Sequence, residues 1–197
     1  MNNSSGDSAF ILASKSPRRQ ELLRRCGIDF AVEISDAEEL DFAENISELP
    51  ALNALAKAAA VADRHPTSWV LGADTMIIFE NRAIGKPADL DEAAEFLQRF
   101  SGKTHQVITG MALICRATQN EFVWSEVSEV KFKTLTADIV AHYLDKVTVL
   151  DKAGAYAIQE YGDLIVEHFT GELENIVGLP LKKLRKLLTK YAIGDKL

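Results

Sequence analysis

The chain of 197 residues has little cysteine and histidine, and this scarcity argues against several classes of protein. Its two cysteines, Cys26 and Cys115, lie far apart and form no CxxC pair, so we expect neither a disulfide scaffold nor a cysteine-rich zinc site. The four histidines form no HExxH or comparable metal-binding spacing. Any metal ion would therefore have to be held by oxygen ligands.

Long apolar runs are also missing. Every apolar stretch is far shorter than the roughly 18–20 residues that a membrane span requires, so we expect no membrane association. The opening residues, MNNSSGDS, have neither the basic region nor the apolar core of a signal peptide, which predicts a cytoplasmic protein. Their Asn, Ser and Gly content predicts a disordered tail over residues 1–8, followed by a single domain over residues 9–197.

Positive charge is in the minority, with 22 basic against 29 acidic residues and a formal net charge of −7. This balance argues against binding to a nucleic acid polymer. The charges are unevenly placed: residues 15–25 contain five bases and one acid, whereas residues 29–48 contain eight acids and no base. Such runs are either ordinary solvated faces, ion pairs between the two segments, or a local site for an anionic ligand.

Hydrophobic periodicity and helix-capping residues predict an α/β fold with a mixed sheet flanked by helices. Five segments have the apolar character of strands: 10–13, 69–79, 105–115, 122–132 and 153–158. Five others have the pattern of helices: one from Pro17 closed by Gly27, then 50–64, 89–100, 136–146 and 180–191. No repeat or linker divides the chain.

The helix that begins at Pro17 departs from the usual charge pattern of a helix start. Arg18 and Arg19 lie in its first turn, where the helix dipole already favours anions. Ser14 and Ser16 precede it, and Ser16 is placed to cap the helix. Because departures from local rules concentrate at functional sites, these four residues predict a phosphate-binding site. Ion pairs between the arginines and the acidic segment are the structural alternative.

Asp74 is the second departure, because it lies inside the apolar strand pattern WVLGADTMIIF. An ionised carboxylate buried there is unfavourable by several kcal/mol unless a cation or several donors meet it. Gly72 and Ala73 leave space for a ligand, and Lys57 and Lys86 are candidates for additional positive charge. A structural aspartate that accepts backbone N–H bonds is the alternative.

Six sequence blocks together resemble the Maf-like nucleoside triphosphate pyrophosphatases. In order along the chain they are SKSPRR (14–19), GADT (72–75), GKP (85–87), SGKTHQVITG (101–110), DKAGAYAIQ (151–159) and NIVGLP (175–180). Each block alone is a weak signal, but six in order across nearly the whole chain are a specific one. The domain of residues 9–197 is therefore identified as a Maf-like pyrophosphatase domain.

The resemblance implies a fold similar to inosine triphosphate pyrophosphatases, with two lobes around a cleft. It implies a homodimer that uses a divalent cation, Mg²⁺ or Mn²⁺, to hydrolyse a nucleoside triphosphate to the monophosphate and pyrophosphate. The family's metal ligands fall on Asp74 and Glu39, although the adjacent Glu38 is an alternative, and Asp74 also becomes the general base. Its substrate-binding residues fall on Ser14, Ser16, Arg18, Arg19, Lys57 and Lys86.

Three positions resemble the branch of the family that acts on dTTP and UTP. These are Arg18, Thr75 and Gln159, which the resemblance makes specificity residues. A regulator of septum formation and cell division that senses nucleotides without significant turnover is the alternative function. A phosphatase that releases inorganic phosphate is a third possibility, which product analysis distinguishes.

Overall fold

The computed structural model describes residues 10–193, so the predicted tail over residues 1–8 lies outside the described residues. Within that range the strands are β1 (Phe10–Leu12), β2 (Phe30–Val32), β3 (Trp69–Phe79), β4 (Arg82–Ile84), β5 (Thr104–Cys115), β6 (Asn120–Phe132) and β7 (Val166–Thr170). The α-helices are α1 (Pro17–Arg24), α2 (Leu49–Ala62), α3 (Leu90–Phe100), α4 (Ala137–Lys146), α5 (Gly162–Ile165), α6 (Leu173–Val177) and α7 (Leu181–Lys190).

The described strands form one mixed sheet in the order β2-β1-β3-β5-β6-β7, with β4 paired to β3. β1 runs parallel to both β2 and β3. The pairs β3–β5, β5–β6 and β6–β7 are antiparallel. This topology confirms the predicted mixed sheet flanked by helices.

The helix starts form where the capping residues predicted them. Ser16 accepts a hydrogen bond from the Arg19 backbone N–H at 3.4 Å at the start of α1. Asp89 does the same for the Glu92 N–H at 2.9 Å at the start of α3. Gly27 adopts a left-handed φ of 74°, but it stands two residues beyond the C-cap, one position later than predicted.

The predicted strand over residues 153–158 is wrong. Ala153–Ala155 form a 3₁₀ turn, and Gly154 and Ala155 have left-handed φ angles of 66° and 58° that interrupt any strand. The segment is apolar because Ala155 and Tyr156 pack into a core cluster, and burial alone does not distinguish a strand from a buried turn. The short strands β2, β4 and β7 were not predicted because they are largely exposed and carry little periodicity.

Helix α2 covers one face of β3 and β5 at unusually close range. A Cβ atom on Gly72 would lie 2.2 Å from the Ala54 carbonyl oxygen, and one on Gly110 would lie 2.1 Å from the backbone of Pro50. Glycine is therefore required at both positions. This close approach fixes α2 relative to the sheet, and with it every side chain that α2 directs toward β3.

The opposite face of the sheet carries two apolar clusters. The first joins α1 and α7 to the sheet through residues such as Leu71 and Met111. The second joins α3 and α4 to the sheet through residues such as Ile77 and Val107. Across residues 10–193, the helices are all too short or too polar to cross a membrane.

Candidate active site

Asp74 and Glu39 are brought together by one lysine. Lys57 Nζ, on α2, lies 2.7 Å from Asp74 Oδ1 and 2.6 Å from Glu39 Oε1. The Asp74 and Lys57 side chains are 11% and 14% exposed, whereas that of Glu39 is 63% exposed. The structure therefore places three of the predicted site residues in a single charged cluster, and Glu39 rather than Glu38 pairs with the lysine.

Among the described residues, the second carboxylate oxygen of Asp74 has no hydrogen-bond partner. Oδ2 is buried and accepts no hydrogen bond among the described residues, which rules out the structural alternative of a carboxylate satisfied by backbone N–H groups. The pKa of Glu39 is lowered, first by its hydrogen bond to Lys57 and further by the charges of Lys57, Lys86 and Arg19. Both carboxylates thus face a strongly cationic environment.

The oxygens of this cluster suit a hard divalent cation. Asp74 and Glu39 supply carboxylate ligands, and the unpartnered Oδ2 of Asp74 is an open acceptor. Over residues 10–193 no group of three or more His, Cys, Asp or Glu side chains is assembled. A cation held here would complete its coordination with water and with ligand oxygens, as Mg²⁺ does at phosphate sites.

Arg19 lies on the other face of β3 and is bound mainly by the protein. Its guanidinium donates to four acceptors: Gly178 O at 2.9 Å, Ala73 O at 2.9 Å, Ser14 Oγ at 3.2 Å and Thr75 Oγ1 at 3.0 Å. Burial lowers the pKa of Arg19, and the charge of Asp74 partly opposes that shift. A guanidinium has five N–H donors, so this one keeps a single donor for any ligand.

Thr75 continues the network into the sheet. Its hydroxyl lies 3.0 Å from that of Thr109, and Thr109 donates to the Asn175 backbone carbonyl at 2.9 Å. Since the Thr109 proton is used there, Thr75 donates to Thr109 and accepts from Arg19. The Asn175 side-chain amide donates to Val107 O and Ser128 Oγ. These polar residues form a layer between the two apolar clusters.

Sequence reasoning missed Thr109, Ser128 and Asn175 as site-supporting residues. Thr109 and Asn175 occur in the SGKTHQVITG and NIVGLP blocks, but nothing in a single sequence indicates that these blocks meet. In the structure Thr109 and Asn175 are 0% exposed and Ser128 is 1% exposed, although each is polar. Only Thr109 offered a signal in the sequence, as a polar residue inside the apolar pattern of a strand.

Arg18 does not share the hydrogen-bond acceptors of Arg19 and instead forms an ion pair. Its Nη1 lies 3.7 Å from Asp151 Oδ2, and the two side chains are 37% and 60% exposed. The predicted alternative, pairing of both arginines with the acidic segment 29–48, is therefore wrong for the described contacts of Arg18 and Arg19. Ser14 is buried and accepts hydrogen bonds from the Ser16 N–H and from Arg19.

Lys86 and Gln159 are both exposed; Lys86 lies in the loop after β4 and Gln159 lies in a turn. Lys86 is close enough to act electrostatically on Glu39. Within residues 10–193 the Gln159 side chain makes no hydrogen bond, so the structure does not join it directly to Arg18 or Thr75. Gln159 belongs instead to the loop that also carries Asp151, the partner of Arg18.

The fold and the sequence together define the class of protein. The structure is similar to that of the Staphylococcus aureus Ham1 protein, with a TM-score of 0.55 at 14% identity over 93% of this chain and 99% of that one. At this identity the likeness concerns the fold alone. Residues 9–191 match the family described as Maf-like protein, and the chain belongs to that family.

Several relatives carry an activity in their names. A protein of Akkermansia muciniphila named dTTP/UTP pyrophosphatase is 44% identical over 90% of this chain and 94% of its own length. Proteins of the same name from Desulforamulus reducens and Clostridioides difficile are each 42% identical, over 93% and 92% of this chain and 96% and 94% of their own lengths.

Proposed function

We propose that this protein is a nucleoside triphosphate pyrophosphatase that hydrolyses dTTP and UTP to the monophosphate and pyrophosphate. The observation that carries the proposal is the cluster of Asp74, Lys57 and Glu39, in which a buried carboxylate keeps one free oxygen beside a cationic surface. The names of relatives that match more than nine-tenths of their length support the same reaction and substrates.

Asp74 and Glu39 would hold a divalent cation, Mg²⁺ or Mn²⁺, which supplies charge neutralisation and polarisation of the phosphate oxygens when bound. Lys57 contacts the same two carboxylates that would hold the cation. Its ammonium would therefore lie beside the cation and close to the triphosphate. Lys86 is exposed and Arg18 is partly exposed, so both can approach phosphate oxygens, and Ser14 and Ser16 line the loop before α1. Arg19 would contribute its one remaining N–H donor from the opposite face of β3.

Asp74 is the proposed general base. Its Oδ2, which has no hydrogen-bond partner among the described residues, is available to take a proton from the water that attacks the α-phosphorus, and the hydrogen bond from Lys57 to Oδ1 orients the carboxyl. Breaking the bond between the α-phosphorus and its bridging oxygen then releases pyrophosphate. No covalent intermediate with the protein is needed.

Selection of the base is assigned to Arg18, Thr75 and Gln159. The Gln159 amide is exposed and offers both a donor and an acceptor, which match the O4 acceptor and N3–H donor that uracil and thymine share. Thr75 has no proton left for a ligand, so its contribution would pass through Arg19. A cytoplasmic homodimer is part of the same proposal.

A panel of nucleotides tests this function. Purified protein with Mg²⁺ or Mn²⁺ is given UTP, dTTP, CTP and ATP, and the products are resolved by ion-exchange chromatography. UMP with pyrophosphate is expected, whereas UDP with inorganic phosphate would indicate a phosphatase. Binding of UTP without turnover would favour the alternative, a nucleotide sensor linked to cell division.

Asp74→Asn is the matched inactive variant for this panel. The substitution keeps the shape of the side chain and removes its charge, so we expect a folded protein without measurable turnover. Activity near that of the unmodified protein would move the role of the base to Glu39 or Glu38.

A further inference from the structure

The loop of residues 151–160 carries Gln159 and contacts two other segments that hold residues assigned to the nucleotide. Asp151 lies 3.7 Å from Arg18. The Gly154 N–H donates to the Gly85 carbonyl at 2.8 Å, which connects this loop to the segment that carries Lys86. Gln159 is part of the loop itself. The conformation of this one loop therefore sets the relative positions of three residues assigned to the substrate.

The loop backbone is held in an unfavourable conformation. Ala155, and Tyr161 directly after the loop, have φ angles of 58° and 53°, in the left-handed region that non-glycine residues avoid. Such conformations persist only where surrounding contacts fix them. Two of these contacts are side-chain hydroxyls: Tyr143 exchanges hydrogen bonds with the Ala157 backbone at 3.0 and 3.3 Å, and Tyr156 bonds His105 at 2.8 Å.

A buried ammonium group lies at the base of the loop. The Lys152 side chain is 7% exposed, and its Nζ contacts Asp151 Oδ1 at 2.9 Å, Glu160 Oε1 at 3.6 Å and the Thr148 carbonyl. A buried charge is unfavourable compared with an apolar side chain of similar volume. Packing alone therefore does not explain a lysine here.

The ionic contacts of Lys152 extend in two directions. Asp151 connects it to Arg18, and Glu160 directly follows Gln159. Burial alone would raise the pKa of Asp151, but the hydrogen bond and charge of Lys152, together with Arg18, outweigh it and lower that pKa. Asp151 is thus an anion held between two cations.

We propose that Asp151 and Lys152 are positioning residues for nucleotide selection, because Lys152 fixes Asp151 on one side and Glu160 on the other. Through them it sets the orientation of Arg18 and the position of Gln159. This inference rests on the proposed function. It adds two residues that are not themselves assigned any contact with the nucleotide.

Asp151→Asn is the decisive variant, because the Asp151 side chain is 60% exposed and its replacement leaves the core intact. We expect the ratio of kcat/KM for UTP to that for CTP to fall about tenfold as Arg18 loses its fixed orientation. KM for both nucleotides should not rise, since a negative charge near a polyanion has been removed. A loss of stability alone would lower the activity on UTP and CTP equally, so it would not change the ratio of their kcat/KM values.

Asp145→Asn is the matched control, an exposed aspartate paired at 3.3 Å with a neighbouring lysine on α4. It should keep the wild-type ratio. Lys152→Met, with circular dichroism to confirm folding, should lower the ratio in the same direction as Asp151→Asn.

A folded Asp151→Asn protein with the wild-type ratio of UTP to CTP efficiency would overturn the positioning role, whatever Lys152→Met does. An equal fall in the Asp145→Asn control would also overturn it, because the effect would then be one of general charge. Failure of the proposed function looks different: the unmodified protein would then release no UMP and pyrophosphate from UTP.

Discussion

At the scale of single residues, Arg19 shows how the structure changes an expectation. Two arginines in the first turn of a helix predict that removing one relieves repulsion with the dipole, leaving stability unchanged or slightly higher. The structure instead gives the Arg19 guanidinium four hydrogen bonds, two of them to the backbone carbonyls of Gly178 and Ala73. Arg19 is therefore a cross-link between α1, β3 and the residue that ends α6.

Arg19→Ala is consequently expected to destabilise the protein by about 2–4 kcal/mol, because several buried acceptors lose their donor. Arg18→Ala is the control: its ion pair with Asp151 is exposed, and such pairs contribute about 0–1 kcal/mol. Urea unfolding of both variants measures the difference. Equal stability of the two would mean that Arg19 contributes no more to the fold than its neighbour does.

Lys57 carries a second residue-scale prediction. Its ammonium lies between the two carboxylates proposed to hold a divalent cation, so a cation must compete with it. Lys57→Met should therefore tighten Mn²⁺ binding to the nucleotide-free protein about tenfold, since two carboxylates lose their compensating charge. Isothermal titration with Mn²⁺ measures this, with Lys103→Met as the control, because the Lys103 side chain is exposed and pairs with Glu80. Weaker binding in Lys57→Met would contradict the shared position.

At the scale of elements, the contact of α2 with the sheet determines where Lys57 lies. Gly110→Ala would place a Cβ atom 2.1 Å from the Pro50 backbone, and backbone cannot move aside as a flexible side chain does. We expect a loss of about 3 kcal/mol in unfolding free energy, at the upper end of overpacking effects. Gly85→Ala is the control, because nothing in the described part of the chain lies within 4 Å of a Cβ atom there. Comparable stability of the two variants would contradict the close packing.

Most long elements could be predicted from the sequence, because local residues mark where each helix or strand begins and ends. β3 matches the predicted range 69–79, and the caps Ser16 and Asp89 mark their helices through local hydrogen bonds. The failures are non-local. Ala155 adopts a left-handed φ because of contacts made elsewhere in the chain, and β2 and β7 exist only through their partners in the sheet.

The same distinction applies to the site. Asp74 was recognisable because a carboxylate in an apolar strand needs a partner, and Lys57 proved to be that partner. Asp151 and Lys152 were not recognisable as a positioning pair, because that role depends on their ion pairs with Arg18 and Glu160 in the folded chain. A single sequence contains no information on that proximity.

At the scale of the whole molecule, His105 makes stability depend on pH. The side chain is 2% exposed within the second apolar cluster, and burial lowers the pKa of His105 to about 4. The unfolded chain, with an ordinary histidine pKa near 6.5, binds the proton more readily. Stability from this group is therefore complete above about pH 6.5 and falls as the pH decreases toward 4, by about 3 kcal/mol in total.

Denaturant unfolding between pH 4 and 8 measures this dependence, and His105→Phe is the comparison. The variant loses the hydrogen bond to Tyr156, so only the pH slopes are compared. The slope between pH 4 and 6.5 should be shallower in His105→Phe than in the unmodified protein. Identical slopes would assign the acid sensitivity to carboxylates instead.

The polar layer of Thr75, Thr109, Ser128 and Asn175 also bears on local unfolding. Water that enters between the two apolar clusters meets hydroxyl and amide groups. Separation of the two clusters at this layer therefore exposes less apolar surface than unfolding of either cluster. We expect amide hydrogen exchange to reveal two units of different opening free energy, one containing α1 and α7 and the other α3 and α4. The hairpin of β5 and β6 crosses the layer and should exchange slowest, and uniform protection throughout would contradict this division.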